Sequence, residues 1–161
     1  MLTGRKFVGN CANGSRVFDR NDGHNDVHPV DNSLLHKALY GLTPTKNFEV
    51  FCFDFGRTIG QSTCVTVDET DTIVMAYRKG RKGPTPMVLN RISEDCSSLV
   101  IILKKIGNDE YILVTTFVGE PSEKEPWDPY LVPGSEEHQK AQAYWLTHAL
   151  IYDETIIDHM A

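Results

Sequence analysis

A run of basic residues near the middle of the chain is the first group whose type and spacing could do chemistry. Arg78, Lys79, Arg81 and Lys82 fall within five positions of a chain whose formal net charge is −6. Arginine presents a fixed fork of donors that matches phosphate oxygens, and Arg91 offers a further such group. A basic cluster on an acidic protein predicts an anion-binding site, and the alternative is a solvated hairpin tip.

Acid–base chemistry would need a side chain that gains or loses a proton near neutral pH. His36, on an early helix, is the candidate. His148 competes with it, but the helical spacing of the last segment places His148 on an apolar face, which favours a role in the core.

A late strand adds a hydroxyl group and an aromatic ring. Thr115 and Phe117 are two residues apart, so both point to one face of the strand. There the hydroxyl could bond a phosphate oxygen while the ring stacks on a base, although both residues are also good strand formers. The candidates for substrate binding are Phe117, the two lysines of the basic cluster, Lys79 and Lys82, and Trp127.

Two histidines near the N-terminus suggest a metal site, but only weakly. His24 and His28, with Cys11 or a nearby aspartate, have suitable ligand types. No second pair of ligands at a recognisable spacing supports a metal there, so a polar loop is the favoured interpretation. We expect no metal and no other cofactor.

The elements that must position these groups are centred on a β-hairpin over residues 97–120. Five consecutive apolar residues, 99–103, suit a strand covered on both faces, and Gly107-Asn108-Asp109 supplies the turn. A short helix over Ser33–Tyr40 is capped by Asp31 or Asn32. Further strands are predicted over 48–55, 61–67, 72–77 and 87–91.

The order of elements predicts an α+β fold with one largely antiparallel sheet of five to six strands, an early short helix and a C-terminal helix packed on the sheet. At 161 residues the chain is expected to form a single domain. Its parts are an irregular segment 1–30, a helix and sheet over 31–118, a proline-rich crossing 119–134 and a helix over 135–152. Ser135 should cap that last helix.

Composition and hydropathy favour a cytosolic protein. No apolar run approaches the roughly 20 residues that span a bilayer. The first residues lack the apolar stretch of a signal peptide, so no membrane partner is expected. The four cysteines have no CxxC spacing, and the composition requires no disulfide.

A helix-borne histidine, strands carrying Arg and Lys, and a late Thr115-Thr116-Phe117 strand together resemble the barnase–EndoU–colicin–RelE group of small nuclease and toxin domains. The resemblance covers about residues 33–118 and implies metal-independent cleavage of RNA by attack of the 2′-hydroxyl. On this resemblance His36 matches the acid–base residue, one or more of Arg78, Arg81 and Arg91 the phosphate contact, and Thr115 the late hydroxyl. The implied partners are RNA or another phosphate-bearing ligand, and a protein antitoxin or inhibitor.

Two other classes of function remain open from the sequence. A non-catalytic binding protein, such as a phage or bacterial regulator, would use the basic cluster and Trp127 to sequester an anionic ligand, a nucleotide or a protein. An ADP-ribosyltransferase-like enzyme ranks third. For it, Arg57, Ser62-Thr63 and Glu136-Glu137 resemble the family's Arg, Ser-Thr-Ser and Glu-x-Glu elements. Helix N-terminal charge explains the two glutamates better.

Overall fold

The chain folds as two compact units of mixed α and β structure. The computed structural model describes residues 5–20 and 30–161. The first unit comprises residues 1–60 and 96–121, and the second comprises residues 61–95 and 122–161. The α+β class is confirmed, with an early helix and a C-terminal helix. The strands, however, lie in two five-stranded sheets and one two-stranded sheet, instead of the one sheet expected.

The elements follow one another along the chain as two α-helices and twelve strands within the described residues. The helices are α1 (Asn32–Tyr40) and α2 (Glu136–Thr147). The strands are β1 (Phe7–Asn10), β2 (Arg16–Phe18), β3 (Phe48–Asp54), β4 (Gly60–Ser62), β5 (Cys64–Thr66), β6 (Ile73–Arg78), β7 (Pro84–Val88), β8 (Glu94–Cys96), β9 (Ser98–Gly107), β10 (Glu110–Val118), β11 (His148–Ile151) and β12 (Ile157–Met160).

The predicted hairpin, β9 with β10, is confirmed at the centre of the first unit's sheet. The strand order there is β1-β2-β10-β9-β3, with β10 parallel to β2 and the other pairs antiparallel. Asp109 adopts φ 55° in the turn, a conformation that aspartate tolerates better than most residues. Leu99, Ile101 and Leu103 are completely buried beneath α1, so the hairpin supplies the core of this unit.

Helix α1 begins and ends where local chemistry predicts. The Asp31 carboxylate accepts the backbone N–H of Ser33 and so caps the helix. Gly41 ends the helix at φ −92°, which is not a left-handed conformation. Space is the physical reason for glycine there, because a Cβ atom would lie 2.7 Å from Cε2 of Phe53.

The second unit's sheet has the order β12-β6-β7-β11-β5, with β11 parallel to β7. Strand β7 includes Pro84 and Pro86, where the sequence predicted a loop followed by a strand over 87–91. Leu89 donates its N–H to the Thr72 carbonyl, at the start of the pairing between β7 and β6. In an antiparallel pair every second N–H faces the partner strand, so the N–H groups of Met87 and Thr85 also face β6. The prolines fall between these positions, where β6 requires no N–H donor.

Helix α2 is shorter than predicted. Ser135 caps it as expected, by accepting the N–H of His138, but the helix ends at Thr147 and does not continue to 152. His148–Ile151 pairs with β5 and β7 as a strand. Backbone hydrogen bonds to distant strands therefore outweigh the helical periodicity of the side chains.

Two further differences concern the N-terminal segment and the strand predicted over 61–67. Strands β1 and β2 form an antiparallel pair inside the segment 1–30, which was expected to be irregular. The predicted strand 61–67 is divided into β4 and β5, which belong to different sheets. His24 and His28 lie outside the described residues. In the part of the chain that the structure describes, no helix is long and apolar enough to cross a membrane.

The four cysteines are free thiols. The environment of Cys52 on β3 changes the pKa of its thiol, which can be tested by its reactivity. Partial burial raises the pKa of the Cys52 thiol to about 11, and the hydrogen bond that it donates to the Glu120 carboxylate at 3.3 Å acts in the same direction.

Alkylation of Cys52 should therefore be slow at pH 8 in the folded protein, because the thiol is protonated well below its pKa. The rate should rise about tenfold per pH unit until pH 11 is approached, since the thiolate is the nucleophile. Glu120→Gln should increase the rate at pH 8. Iodoacetamide labelling with peptide mass spectrometry measures this, and the urea-unfolded chain is the control. Equal rates in the folded and unfolded chains would contradict it.

Candidate functional site

The second unit contains a polar cluster built around one carboxylate. Glu125 is 7% exposed, and it forms an ion pair with the Nη2 atom of Arg78 at the end of β6. The same carboxylate accepts the Thr85 hydroxyl at 2.5 Å and the Trp127 Nε1–H at 2.7 Å. Arg78 Nε also donates to Thr85 Oγ1 at 3.3 Å. A buried charge of this kind requires several partners, and here Glu125 has three donors.

Strand register places further polar side chains on the face of the sheet that carries Arg78. Thr66 lies opposite His148, and Thr85 lies opposite Ala76, two residues before Arg78. His148 and Thr85 each come two residues before the neighbouring pair Leu150 and Met87. Directly opposed residues and residues two apart share a face, so Thr66, His148, Thr85 and Arg78 lie on one side of the sheet.

Three side chains define the surroundings of the His148 ring. The ring stacks on Tyr144 with centroids 3.8 Å apart and an interplanar angle of 5°. Nδ1 lies 2.8 Å from the carbonyl oxygen of Tyr144 and 3.0 Å from the hydroxyl of Thr147, which itself donates to that carbonyl. A carbonyl can only accept, so the hydrogen bond with Tyr144 assigns the proton of the neutral ring to Nδ1. In the neutral ring Nε2 is then the acceptor, 3.5 Å from the Thr66 hydroxyl. This nitrogen is therefore the position at which His148 can take up a proton.

Cys64 and Tyr144 complete this side of the cluster as neutral groups. The Cys64 sulfur and the Tyr144 hydroxyl oxygen are 3.4 Å apart. Burial raises the pKa of the Cys64 thiol. Burial, followed by the hydrogen bond with Cys64, raises the pKa of the Tyr144 hydroxyl. Neither group is ionised near neutral pH, so neither is an activated nucleophile.

The turn between β6 and β7, which we call the basic tip, presents Lys79, Arg81 and Lys82 as exposed side chains. Arg81 donates its N–H to the Arg78 carbonyl, and Gly80 adopts φ 74°, so the tip is a tight turn. Gly83 lies directly against Trp127, because a Cβ atom at Gly83 would be 2.0 Å from Cγ of the indole. The Trp127 N–H also donates to the Pro84 carbonyl at 3.0 Å, which anchors the tip to the proline-rich crossing.

The charge of the chain is divided unequally between the units. The first unit has nine Lys or Arg and nine Asp or Glu residues in its sequence, whereas the second has seven and thirteen. The formal net charge of −6 therefore belongs to the second unit. Three of that unit's seven basic residues are concentrated at the basic tip, so this tip is a local positive feature on an acidic unit.

The structure brings together five of the nine site residues predicted from sequence. Arg78 and Trp127 meet at Glu125, and Lys79, Arg81 and Lys82 follow in the basic tip. Arg91 belongs to the same unit but forms ion pairs, at 3.1 Å with Asp71 and at 3.7 Å with Glu94. Its guanidinium is thus neutralised by carboxylates.

The other three predicted site residues, His36, Thr115 and Phe117, belong to the first unit. His36 is exposed on α1, close to Gly9 of β1. Thr115 lies opposite Ile102 and Phe117 opposite Val100, and the alternate residues Leu99, Ile101 and Leu103 pack beneath α1. Thr115 and Phe117 therefore point away from α1. His36 and Thr115 lie on opposite sides of this sheet, and the predicted triad of histidine, arginine and threonine is not assembled within either unit.

Sequence reasoning missed Glu125, Thr85, Thr66, Cys64 and Tyr144 as members of a site. Glu125 lies two residues before Trp127 in a segment without periodicity. This closeness of a carboxylate to an indole is the one sequence feature that could have indicated Glu125. Thr85 lies between two prolines and gave no such signal. The elements considered for an ADP-ribosyltransferase are divided, since Arg57 belongs to the first unit and Glu136-Glu137 forms the first turn of α2.

No family model, curated protein or solved structure matches the chain. A function is therefore inferred from the geometry of the site. Within residues 5–20 and 30–161, no cluster of three or more His, Cys, Asp or Glu side chains could hold a metal ion.

Replacing Glu125 tests whether it holds the cluster together. Glu125→Ala leaves the Arg78 guanidinium and the Trp127 N–H without their buried acceptor, and should lower the free energy of unfolding by about 3–5 kcal/mol. Urea unfolding of the parent and the variant measures the difference. The control is Glu123→Ala at an exposed side chain, with an expected change within about 0.5 kcal/mol. Equal effects of the two substitutions would show that Glu125 does not have this role.

Proposed function

We propose that the second unit binds RNA and cleaves it, without a metal ion, by attack of the 2′-hydroxyl on the adjacent phosphate. The observation that carries the proposal is the shared sheet face on which Arg78 and His148 lie, with the basic tip following Arg78 directly. A guanidinium and an imidazole are the two kinds of group that this reaction uses. This proposal replaces His36 by His148 as the acid–base residue, and His36 stays an untested prediction.

Each group has a definite role in the proposed reaction. Nε2 of His148 takes the proton of the 2′-hydroxyl, whose oxygen attacks phosphorus while the bond from phosphorus to the 5′-oxygen breaks. The protonated imidazole or a water molecule returns a proton to the 5′-oxygen, and the products are a 2′,3′-cyclic phosphate and a free 5′-hydroxyl. Arg78, Arg81 and the lysines of the tip stabilise the charge on the phosphate. Glu125 is a positioning residue, because it orients the Arg78 guanidinium.

Cleavage of total RNA in EDTA by two matched variants tests the assignment. His148→Gln should reduce the cleavage rate about 10²–10⁴-fold, as expected for the loss of an acid–base group. His36→Gln makes the same chemical change in the first unit and should retain the parent rate. Melting temperatures of both variants show whether the fold is intact.

The opposite pattern would overturn the roles. If His36→Gln abolished cleavage and His148→Gln did not, the site predicted from sequence would be correct and the proposed one wrong. If the parent protein, free of contaminating nuclease, left RNA intact, cleavage would be excluded under these conditions. A rate that depended on an added divalent metal ion would contradict the metal-independent reaction.

Binding of RNA through the basic tip is tested separately from cleavage. Neutralising Lys79, Arg81 and Lys82 by substitution with Gln should weaken binding of a single-stranded RNA. It should also reduce the slope of log K against log salt by about 2, since each phosphate contact contributes about 0.7. Fluorescence anisotropy at several salt concentrations measures this. The control variant replaces the exposed Lys46, Lys104 and Lys140 by Gln, and an equal loss in that variant would contradict a specific role for the tip.

Non-catalytic binding of a phosphate-bearing ligand is the second candidate function. It is favoured by the ion pair with Glu125, which neutralises much of the charge of Arg78 and leaves the exposed cations of the tip to meet a ligand. RNA that binds through the tip and stays intact would support this function over the nuclease.

A further inference from the structure

The first unit contains an open cleft of about 670 Å³ between α1 and the strands beneath it. This volume is within the range of small-molecule sites in proteins, about 300–1,000 Å³. All of its lining residues belong to the first unit, so the cleft is separate from the cluster around Glu125. The nuclease proposal gives this cleft no role.

Aromatic rings form much of the wall of the cleft. Phe7 of β1 is 47% exposed and Tyr40 of α1 is 73% exposed, and the partly buried Phe53 of β3 is the third ring that lines the cleft. Phe7 is held by an edge-to-face contact with Phe18, with centroids 5.8 Å apart. Several rings open to solvent in one concave place are unusual unless they contact a ligand, because exposed apolar surface is costly in water. Planar rings are the surfaces on which a heterocycle stacks.

Two glycines that line the cleft are packed closely against side chains. A Cβ atom at Gly9 would lie 3.3 Å from Leu39 Cδ1, and one at Gly41 would lie 2.7 Å from Phe53 Cε2. A larger residue at Gly41 would displace Phe53, which lines the cleft, and one at Gly9 would crowd Leu39 in the core. Glycine at these two positions therefore keeps α1, β1 and Phe53 closely packed around the cleft.

The polar groups of the cleft favour an anion. His36, Lys37 and Asn10 line it, and no acidic side chain is among its described lining residues. The Lys37 ammonium lies 5.8 Å from the ring centroid of Phe55, a residue that is not among the lining residues but that contacts the lining residue Phe53. A ligand that combines a planar ring with a negative group matches both features of this surface.

We propose that the cleft beside α1 binds a nucleoside monophosphate, with its base stacked on Tyr40 and Phe7 and its phosphate directed to Lys37 and His36. Stacking on aromatic rings is tolerant of the base, so purine and pyrimidine nucleotides should both bind. The site is independent of RNA cleavage, and either proposal can fail without the other.

Isothermal titration with AMP, adenosine and inorganic phosphate tests the proposal. AMP should bind more tightly than adenosine or phosphate alone, because only AMP has both groups. Tyr40→Ala should weaken AMP binding about tenfold or more through loss of stacking. Lys37→Gln should weaken AMP binding and leave adenosine binding unchanged. The matched control is Tyr130→Ala, at a ring that is 84% exposed in the second unit, and its AMP affinity should equal that of the parent.

Three results would overturn the nucleotide site. They are no binding of AMP at millimolar concentration, unchanged affinity in Tyr40→Ala with an unchanged melting temperature, and an equal loss of affinity in Tyr130→Ala. Chemical-shift mapping gives a second measurement, in which AMP should shift the amide signals of Gly9, Asn10 and Lys37. Shifts confined to the basic tip would place AMP at the RNA site and would also reject the cleft.

Discussion

Burial of the Glu125 carboxylate is the constraint on which the second unit depends most. A charged oxygen removed from water is stable only when strong donors replace its hydration. Arg78, Thr85 and Trp127 supply those donors, and they come from β6, β7 and the proline-rich crossing. One carboxylate thereby joins the proline-rich crossing to β6 and β7, whose contacting residues lie 47 and 40 positions earlier in the chain.

The basic residues of the candidate site fall into two groups, those in ion pairs and those exposed to solvent. Arg78 pairs with Glu125 through Nη2, and Arg91 pairs with Asp71 and Glu94, so carboxylates compensate part of the charge of both guanidinium groups. Lys79, Arg81 and Lys82 are exposed on a turn whose base is packed against Trp127. Three cations held on one rigid turn repel one another, and this repulsion destabilises the turn. A bound polyanion would offset the repulsion by compensating their charge.

Features set by neighbouring residues were predictable from the sequence, and features set by distant pairing were not. The hairpin of β9 and β10, the Asp31 cap and the Ser135 cap each follow from a few adjacent residues. Strand β7 tolerates Pro84 and Pro86 because, in its register with β6, neither position has to donate a backbone N–H to that strand. This register depends on pairing with β6, so no local pattern reveals it. The partners of Glu125 are separated from it by up to 47 positions, so the candidate site was recognised only in part.

His148 shows how one change of element alters a functional argument. Three- and four-residue spacing placed it on the apolar face of a long helix, where a histidine in the core was the natural interpretation. The backbone instead leaves α2 at Thr147, and β11 inserts between β5 and β7. A strand alternates its side chains, so His148 points to the polar face while Ala149 is buried on the other. The helix still contributes, because the Tyr144 carbonyl in its last turn accepts a hydrogen bond from Nδ1–H and thus leaves Nε2 with the free lone pair in the neutral ring.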